Sequence, residues 1–130
     1  MSKIAIHGFG RIGRSLMKVA LKEDLFVPVS ISDIKDVETL AALFEVDSNY
    51  GRWPERVVAT DDGFAIGGRE IRYLNSMKAL PDWKALDVDL VIDCTGRAST
   101  RAGAQAHLDA GAKRVLVSAP SKTQADCDAV

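Results

Sequence analysis

The feature that most restricts what this chain can fold into is a glycine cluster, Gly8, Gly10 and Gly13, set between an apolar run and an amphipathic one. Lys3 to His7 reads as a buried strand, Gly8 to Gly10 as a tight turn, and the residues from about Arg11 to Lys22 as a helix. Each glycine has its own physical duty. Gly8 permits the bend, Gly10 keeps a Cβ out of the path of a bulky anion, and Gly13 lets helix and strand pack closely. The spacing is G-x-G-x-x-G, and Asp33 follows twenty residues after Gly13, at the end of a second apolar run from Phe26 to Ser32. A carboxylate there reaches the hydroxyls of a ribose whose diphosphate rests on the uncapped amides of the helix start, with Arg11 adding a charge-assisted contact. The pattern predicts a dinucleotide-binding strand-helix-strand unit. An acidic ribose ligand also repels a 2′-phosphate, so NAD is expected rather than NADP. Asp33 has a competing structural use, because either Asp33 or Asp36 can cap the helix expected from about Val37.

The remaining pattern extends the same architecture. In the first helix Ile12, Leu16, Val19 and Ala20 are expected to share the buried face, with Arg11, Arg14, Lys18 and Lys22 on a solvated side. A second helix from about Val37 to Val46 carries Leu40, Leu43 and Phe44, and Asp47 to Pro54 is turn chemistry. From Val57 to Tyr73 short alternating runs are punctuated by Asp62-Gly63 and Gly67-Gly68, which reads as an antiparallel excursion around residues 56–74. Asp89 to Thr95 is a third buried strand, Ser99 to Ala110 a small-residue helix closed by Gly111, and Lys113 to Ser118 a strand stopped by Pro120. Strands alternating with helices predict an α/β fold, a doubly wound and mostly parallel sheet of Rossmann type, as one dinucleotide-binding domain over residues 1–130 whose boundary falls beyond Val130.

Composition narrows the partners. Hydrophobic residues make up 47% and charged residues 27% of the 130, as in soluble globular domains. A formal net charge of -1 offers no general attraction to nucleic acid or an anionic membrane. No run has the length of a spanning helix, and the first strand begins too near Met1 for a secretory leader. Cys94 and Cys127 have neither disulfide-scaffold nor zinc spacing, so no metal site is expected and a reducing, cytoplasmic setting is. His7 reads as a hydrogen-bonded structural histidine, His107 as an ordinary helix residue and Cys94 as a packed strand residue, so no catalytic residue is expected.

Longer segments carry a resemblance. Ile6-His7-Gly8-Phe9-Gly10-Arg11-Ile12-Gly13-Arg14 is similar to the INGFGRIGR opening of phosphorylating glyceraldehyde-3-phosphate dehydrogenases. Thr39 to Phe44, Asp47 to Arg52, Gly68 to Ile71, Val91 to Gly96, Ala106 to Val115 and Ser118-Ala119-Pro120 resemble further segments of that family, in order and at nearly the right spacing. The likeness covers essentially the whole chain. It implies a cofactor site of Gly8, Phe9, Gly10, Arg11, Ile12 and Gly13 at the diphosphate, Asp33 at the adenosine ribose, Met77 at adenine through its carbonyl, Thr95 and Gly96 beside the cofactor, and Ser118 near the nicotinamide. His7, Ser32, Cys94 and Ala98 depart from the family pattern, and one residue is missing between Met77 and Trp83. Loss of an aromatic wall at Ala98 should weaken adenine stacking by ~1 kcal/mol.

The resemblance further implies an NAD-dependent oxidation of a small phosphorylated aldehyde in a homotetrameric enzyme. The family's nucleophile lies in a Ser-Cys-Thr-Thr-Asn segment absent from these 130 residues, so the chain by itself is expected to bind NAD and to lack activity. Two rivals remain at this level: an erythrose-4-phosphate dehydrogenase-like enzyme, and a free-standing nucleotide-binding module without chemistry of its own.

Overall fold

The computed structural model describes residues 2–46, 53–95 and 101–118, with Arg101 described by its backbone alone. In chain order the elements are β1 (Ile4–His7), α1 (Arg11–Lys22), β2 (Ser30–Asp33), α2 (Val37–Glu45), β3 (Val57–Ala59), β4 (Gly63–Ile66), β5 (Arg69–Asn75), β6 (Leu90–Asp93), α3 (Arg101–Asp109) and β7 (Arg114–Val117). The strands form one sheet in the order β3-β4-β5-β2-β1-β6-β7. Every neighbour pair from β5 to β7 is parallel, and β3/β4 and β4/β5 are antiparallel. This is the doubly wound, mostly parallel α/β architecture of Rossmann type expected from the sequence.

Alternation along β1 divides the core between the two faces of the sheet. Ile6 joins Met17 and Leu21 of α1, Ile31 of β2, Leu40 and Phe44 of α2, and Phe64 and Ile71 of the hairpin strands in one cluster. Ala5 joins Trp83, Val88, Val91 and Ala112 in a second. Successive strand residues point to opposite faces, so β1 is covered on both, as a central parallel strand requires. Each fully buried large side chain contributes about 1.5–3 kcal/mol, which makes the Phe44, Phe64 and Phe9 set the main support of the first face.

Several local expectations need correction. In α1 the buried residues are Gly13, Met17, Lys18, Ala20 and Leu21, whereas Ile12 and Val19 are exposed. The cause is Gly13: a Cβ there would lie 2.2 Å from the Gly8 carbonyl oxygen, so this position must face the glycine turn. That contact sets the rotation of the helix, and positions four, seven and eight residues later follow it inward. Lys18 is consequently not solvated; it is buried, and its ammonium lies 5.1 Å from the Phe44 ring centroid. β2 begins at Ser30 rather than near Phe26, since Leu25, Val27 and Val29 are exposed on the approach from α1. The antiparallel excursion expected around residues 56–74 is present as β3, β4 and β5, and it is continuous with the main sheet because β5 pairs in parallel with β2. The helix expected from Val37 runs to Glu45 and is capped by Asp36, whose side chain accepts from the Thr39 amide, leaving Asp33 for another role. Among the described residues, no helix is long and apolar enough to cross a membrane.

Candidate functional site

From β1 the chain crosses to β2 on one side, and from β6 to β7 on the other. Adjacent parallel strands whose connections diverge leave a crevice at their C-terminal ends. The two residues that end these strands, His7 and Asp93, are register partners. Above them lies a cleft of about 430 Å³ whose wall includes His7, Gly8, Gly10, Asp33, Asp93 and Thr95.

The glycine turn forms the rim. Gly8 has φ +94°, and a Cβ there would come within 2.7 Å of the Thr95 methyl and 2.9 Å of its amide nitrogen. Its own N–H donates to the Ser32 carbonyl at 2.7 Å. A Cβ on Gly10 would meet nothing within 4 Å, so its absence keeps open space rather than relieving crowding within the protein. Gly10 is the N-cap of α1 and offers no side-chain acceptor to the first-turn amides. Those amides and the positive end of the helix dipole therefore remain for an anion. Arg14, placed by pattern on the solvated side, is half-buried and donates from its guanidinium to the Phe9 carbonyl at 3.0 Å, steadying the turn.

Asp33 ends β2 and turns toward the glycines. Its Oδ2 accepts the Phe9 N–H at 2.6 Å, and its Oδ1 accepts the amides of Ile34 at 2.7 Å and Lys35 at 3.1 Å. The Tyr73 hydroxyl, reaching from β5, contacts the carbonyls of both Asp33 and Lys35. Burial, with the negative charges of Asp33 and Asp36, pushes the Tyr73 phenol up to about 12, so it remains a donor at any working pH. Tyr73 was not singled out by sequence. Its signal was available only as an aromatic in a strand whose parallel pairing with β2 no local pattern shows.

Beneath the cleft is a buried polar relay that sequence reading also missed. Trp83 donates from Nε1 to His107 Nδ1 at 3.1 Å, and His107 Nε2 meets Asp93 Oδ2 at 2.7 Å. Asp93 Oδ1 accepts from the Thr95 amide at 2.9 Å and the Thr95 hydroxyl at 2.6 Å. An indole N–H can only donate, so His107 Nδ1 is an acceptor and its one ring proton sits on Nε2, toward Asp93. Burial is the largest single influence on Asp93 and pushes its carboxyl up. The hydrogen bonds from His107 and Thr95 and the charge of His7 outweigh it and hold the group below the usual carboxylate range. His107 is thus no ordinary helix residue: it is 2% exposed and ties α3 to β6.

Donor atoms of His7, Asp93 and His107 lie within 4.8 Å of one another, a spacing compatible with a metal ion. The proton inventory opposes that use. Ligation through His107 Nε2 would move the ring proton to Nδ1, where it would face the Trp83 N–H head-on.

Of the residues named from sequence, Gly8, Gly10, Asp33 and Thr95 are brought together on the cleft wall, and Gly13 supports it from below. Arg11 and Ile12 are exposed at the start of α1. Phe9 places its ring in the core, stacked on Phe44 at 5.8 Å, and its amide is engaged by Asp33. Met77 is 68% exposed and does not line the cleft, while its neighbours Ser76 and Leu80 do. Ser118 follows β7, with its amide on the Asp93 carbonyl at 3.0 Å and its hydroxyl bonded to Cys94. Gly96 and Ala98 lie outside the described residues. Cys94 is past the end of β6 rather than within it, and it shares the cleft wall. Burial pushes its thiol up, the Asp93 charge adds to this and the Ser118 bond opposes it.

A glycine-rimmed cleft at the sheet's switch point, with a helix start that has no side-chain cap and an inward carboxylate on the next strand, suits a dinucleotide. Comparison with known proteins agrees. The family model described as glyceraldehyde 3-phosphate dehydrogenase, NAD binding domain, matches residues 2–101. A glyceraldehyde-3-phosphate dehydrogenase of Chlamydia pneumoniae is 46% identical over 123 residues, covering 92% of this chain and 36% of its own length. Glyceraldehyde-3-phosphate dehydrogenase 2 of Bacillus subtilis (strain 168) is 40% identical over 124 residues, covering 94% of this chain and 36% of that protein. A glyceraldehyde-3-phosphate dehydrogenase of Geobacillus stearothermophilus is 39% identical over 127 residues, 94% of this chain and 37% of the relative. The chain thus spans little more than a third of these relatives, and within that span it belongs to the NAD-binding-domain family of glyceraldehyde-3-phosphate dehydrogenase, with NAD as its cofactor.

Proposed function

We propose that this chain is the NAD-binding portion of a phosphorylating glyceraldehyde-3-phosphate dehydrogenase, which oxidises glyceraldehyde 3-phosphate to 1,3-bisphosphoglycerate with NAD and phosphate. The whole enzyme is proposed to be a cytoplasmic homotetramer. Residues 1–130 form its cofactor domain, and the catalytic domain lies outside them. The observation that carries this reading is the Asp33 carboxylate, turned inward onto the amide of the glycine turn at 2.6 Å within a family match over residues 2–101.

Gly8, Gly10 and the first-turn amides of Arg11, Ile12 and Gly13 would hold the diphosphate, Asp33 the adenosine ribose, and Thr95 the far end of the cofactor. NAD supplies the hydride acceptor. Among the described residues no nucleophile is supplied: Cys94 is kept in its thiol form by burial and lies outside any Ser-Cys-Thr-Thr-Asn segment. Calorimetric titration of the chain with NAD and NADP tests the reading. NAD should bind and NADP should bind at least tenfold more weakly, because Asp33 faces its 2′-phosphate. The chain should show no turnover of glyceraldehyde 3-phosphate. Equal or tighter NADP binding, or measurable turnover, would refute it.

A further inference from the structure

The polar groups under the cofactor cleft differ in whether they can change charge. His107 is held as the neutral Nε2–H tautomer between the Trp83 donor and the Asp93 acceptor. Asp93 accepts one hydrogen bond from His107 and two from Thr95, which favours its anionic form. His7 is the exception. Its Nδ1 meets the Ser32 hydroxyl at 2.6 Å, and a hydroxyl can either donate to a neutral ring or accept from a protonated one. The His7 ring stands edge-on to His107 at 4.9 Å and to Trp83 at 6.1 Å, and it lies in the same cleft wall as Gly8 and Gly10.

We infer that His7 is an affinity-determining residue of the cofactor cleft, its imidazole taking up a proton as the dinucleotide's diphosphate binds. The inference rests on the assignment of NAD to this cleft. Among the described residues, the charged groups that line the cleft with His7 set the sign. Asp93 on β6 and Asp33 at the end of β2 favour the imidazolium, while Lys35 beyond β2 opposes it from an exposed position. His107 on α3 contributes no charge, and Cys94 is a neutral thiol. The diphosphate of bound NAD adds two negative charges to this balance. The ring therefore holds its proton more tightly in the complex than in the free chain, and by linkage affinity must rise as pH falls through the histidine range, around 6.5. Asp93, held below the usual carboxylate range, adds no slope across that interval.

The test is calorimetric titration of the chain with NAD from about pH 6 to 8.5, in two buffers of different ionisation enthalpy, together with the His7 ring titration followed by NMR with and without NAD. Affinity should rise about three- to tenfold toward the acid end, since one unit of pKa shift is a tenfold change. Net proton uptake should appear near pH 7, and the His7 ring should titrate at higher pH in the complex. His7→Asn keeps a hydrogen-bonding group beside Ser32 and removes the titration, so both slope and uptake should vanish. Binding that is flat with pH, a slope that persists in His7→Asn, or an unshifted His7 titration overturns the inference and leaves the cleft assignment standing. Absence of NAD binding at every pH overturns both. Where His7→Asn fails to fold, the ring titration in the unaltered chain decides.

Discussion

Gly13 and Gly10 are three residues apart and are glycines for different reasons. At Gly13 a methyl group would drive 2.2 Å into the Gly8 carbonyl, so helix and turn must separate. Gly13→Ala should cost about 1–3 kcal/mol in urea unfolding, as other overpacked contacts do, and weaken NAD binding by displacing the turn. At Gly10 the space is open, so Gly10→Ala should cost about 1 kcal/mol or less through its poorer N-cap, yet weaken NAD binding at least tenfold. Equal stability losses in the two variants would show that the rim glycine serves folding and not the ligand. Cys94 supports a second expectation at this scale. Its raised thiol should alkylate several-fold more slowly at pH 7.5 than an unstructured cysteine, and more slowly still with NAD in the cleft it lines. Peptide mapping after iodoacetamide separates it from Cys127, and alkylation at the unstructured rate would contradict the burial seen here.

Between elements, the relay of Trp83, His107 and Asp93 fastens α3 to β6 and to the segment before it. His107→Ala would leave an indole N–H and a carboxylate oxygen buried without partners and open a void, so a loss of about 2–4 kcal/mol is expected. Trp fluorescence of urea unfolding measures it, and a loss under 1 kcal/mol would mean that the relay is incidental. Asp93 also sets the acid limit of this junction. Its folded-state pKa is depressed, so its stabilisation is complete above the ordinary value near 4 and is lost as pH falls through the lower folded value. Stability measured from pH 6 downward should stay level on this account until about pH 4 and then decline. Asp93→Asn should be less stable at neutral pH and show a shallower acid decline; an unchanged slope would assign acid unfolding to other carboxylates.

For the whole molecule the cofactor is part of the stability. A ligand that binds only the folded chain stabilises it by about 2.7 kcal/mol at one hundred times its Kd. The melting temperature should therefore climb steadily with NAD concentration, and far less with NADP at equal concentration. A melting temperature indifferent to NAD would mean that the cleft does not take it. The cleft is assembled from the ends of β1, β2 and β6, segments separated by dozens of residues, so no single element can form it alone.

What the sequence determined by itself was whatever local sterics and periodicity control: the glycine spacing, the strand that precedes it, the position of Asp33 and the alternation of strands with helices. These are legible because a missing Cβ, or a repeat of apolar residues, acts on its immediate neighbours. The tertiary structure decided the rest. The rotation of α1 that buries Lys18 and exposes Val19 is set by one contact between Gly13 and Gly8. The joining of β5 to β2, the Tyr73 clasp on Asp33 and the Trp83–His107–Asp93 relay each depend on partners distant along the chain. Hydrogen bonds and charges act through space, and only folding places their two ends within reach.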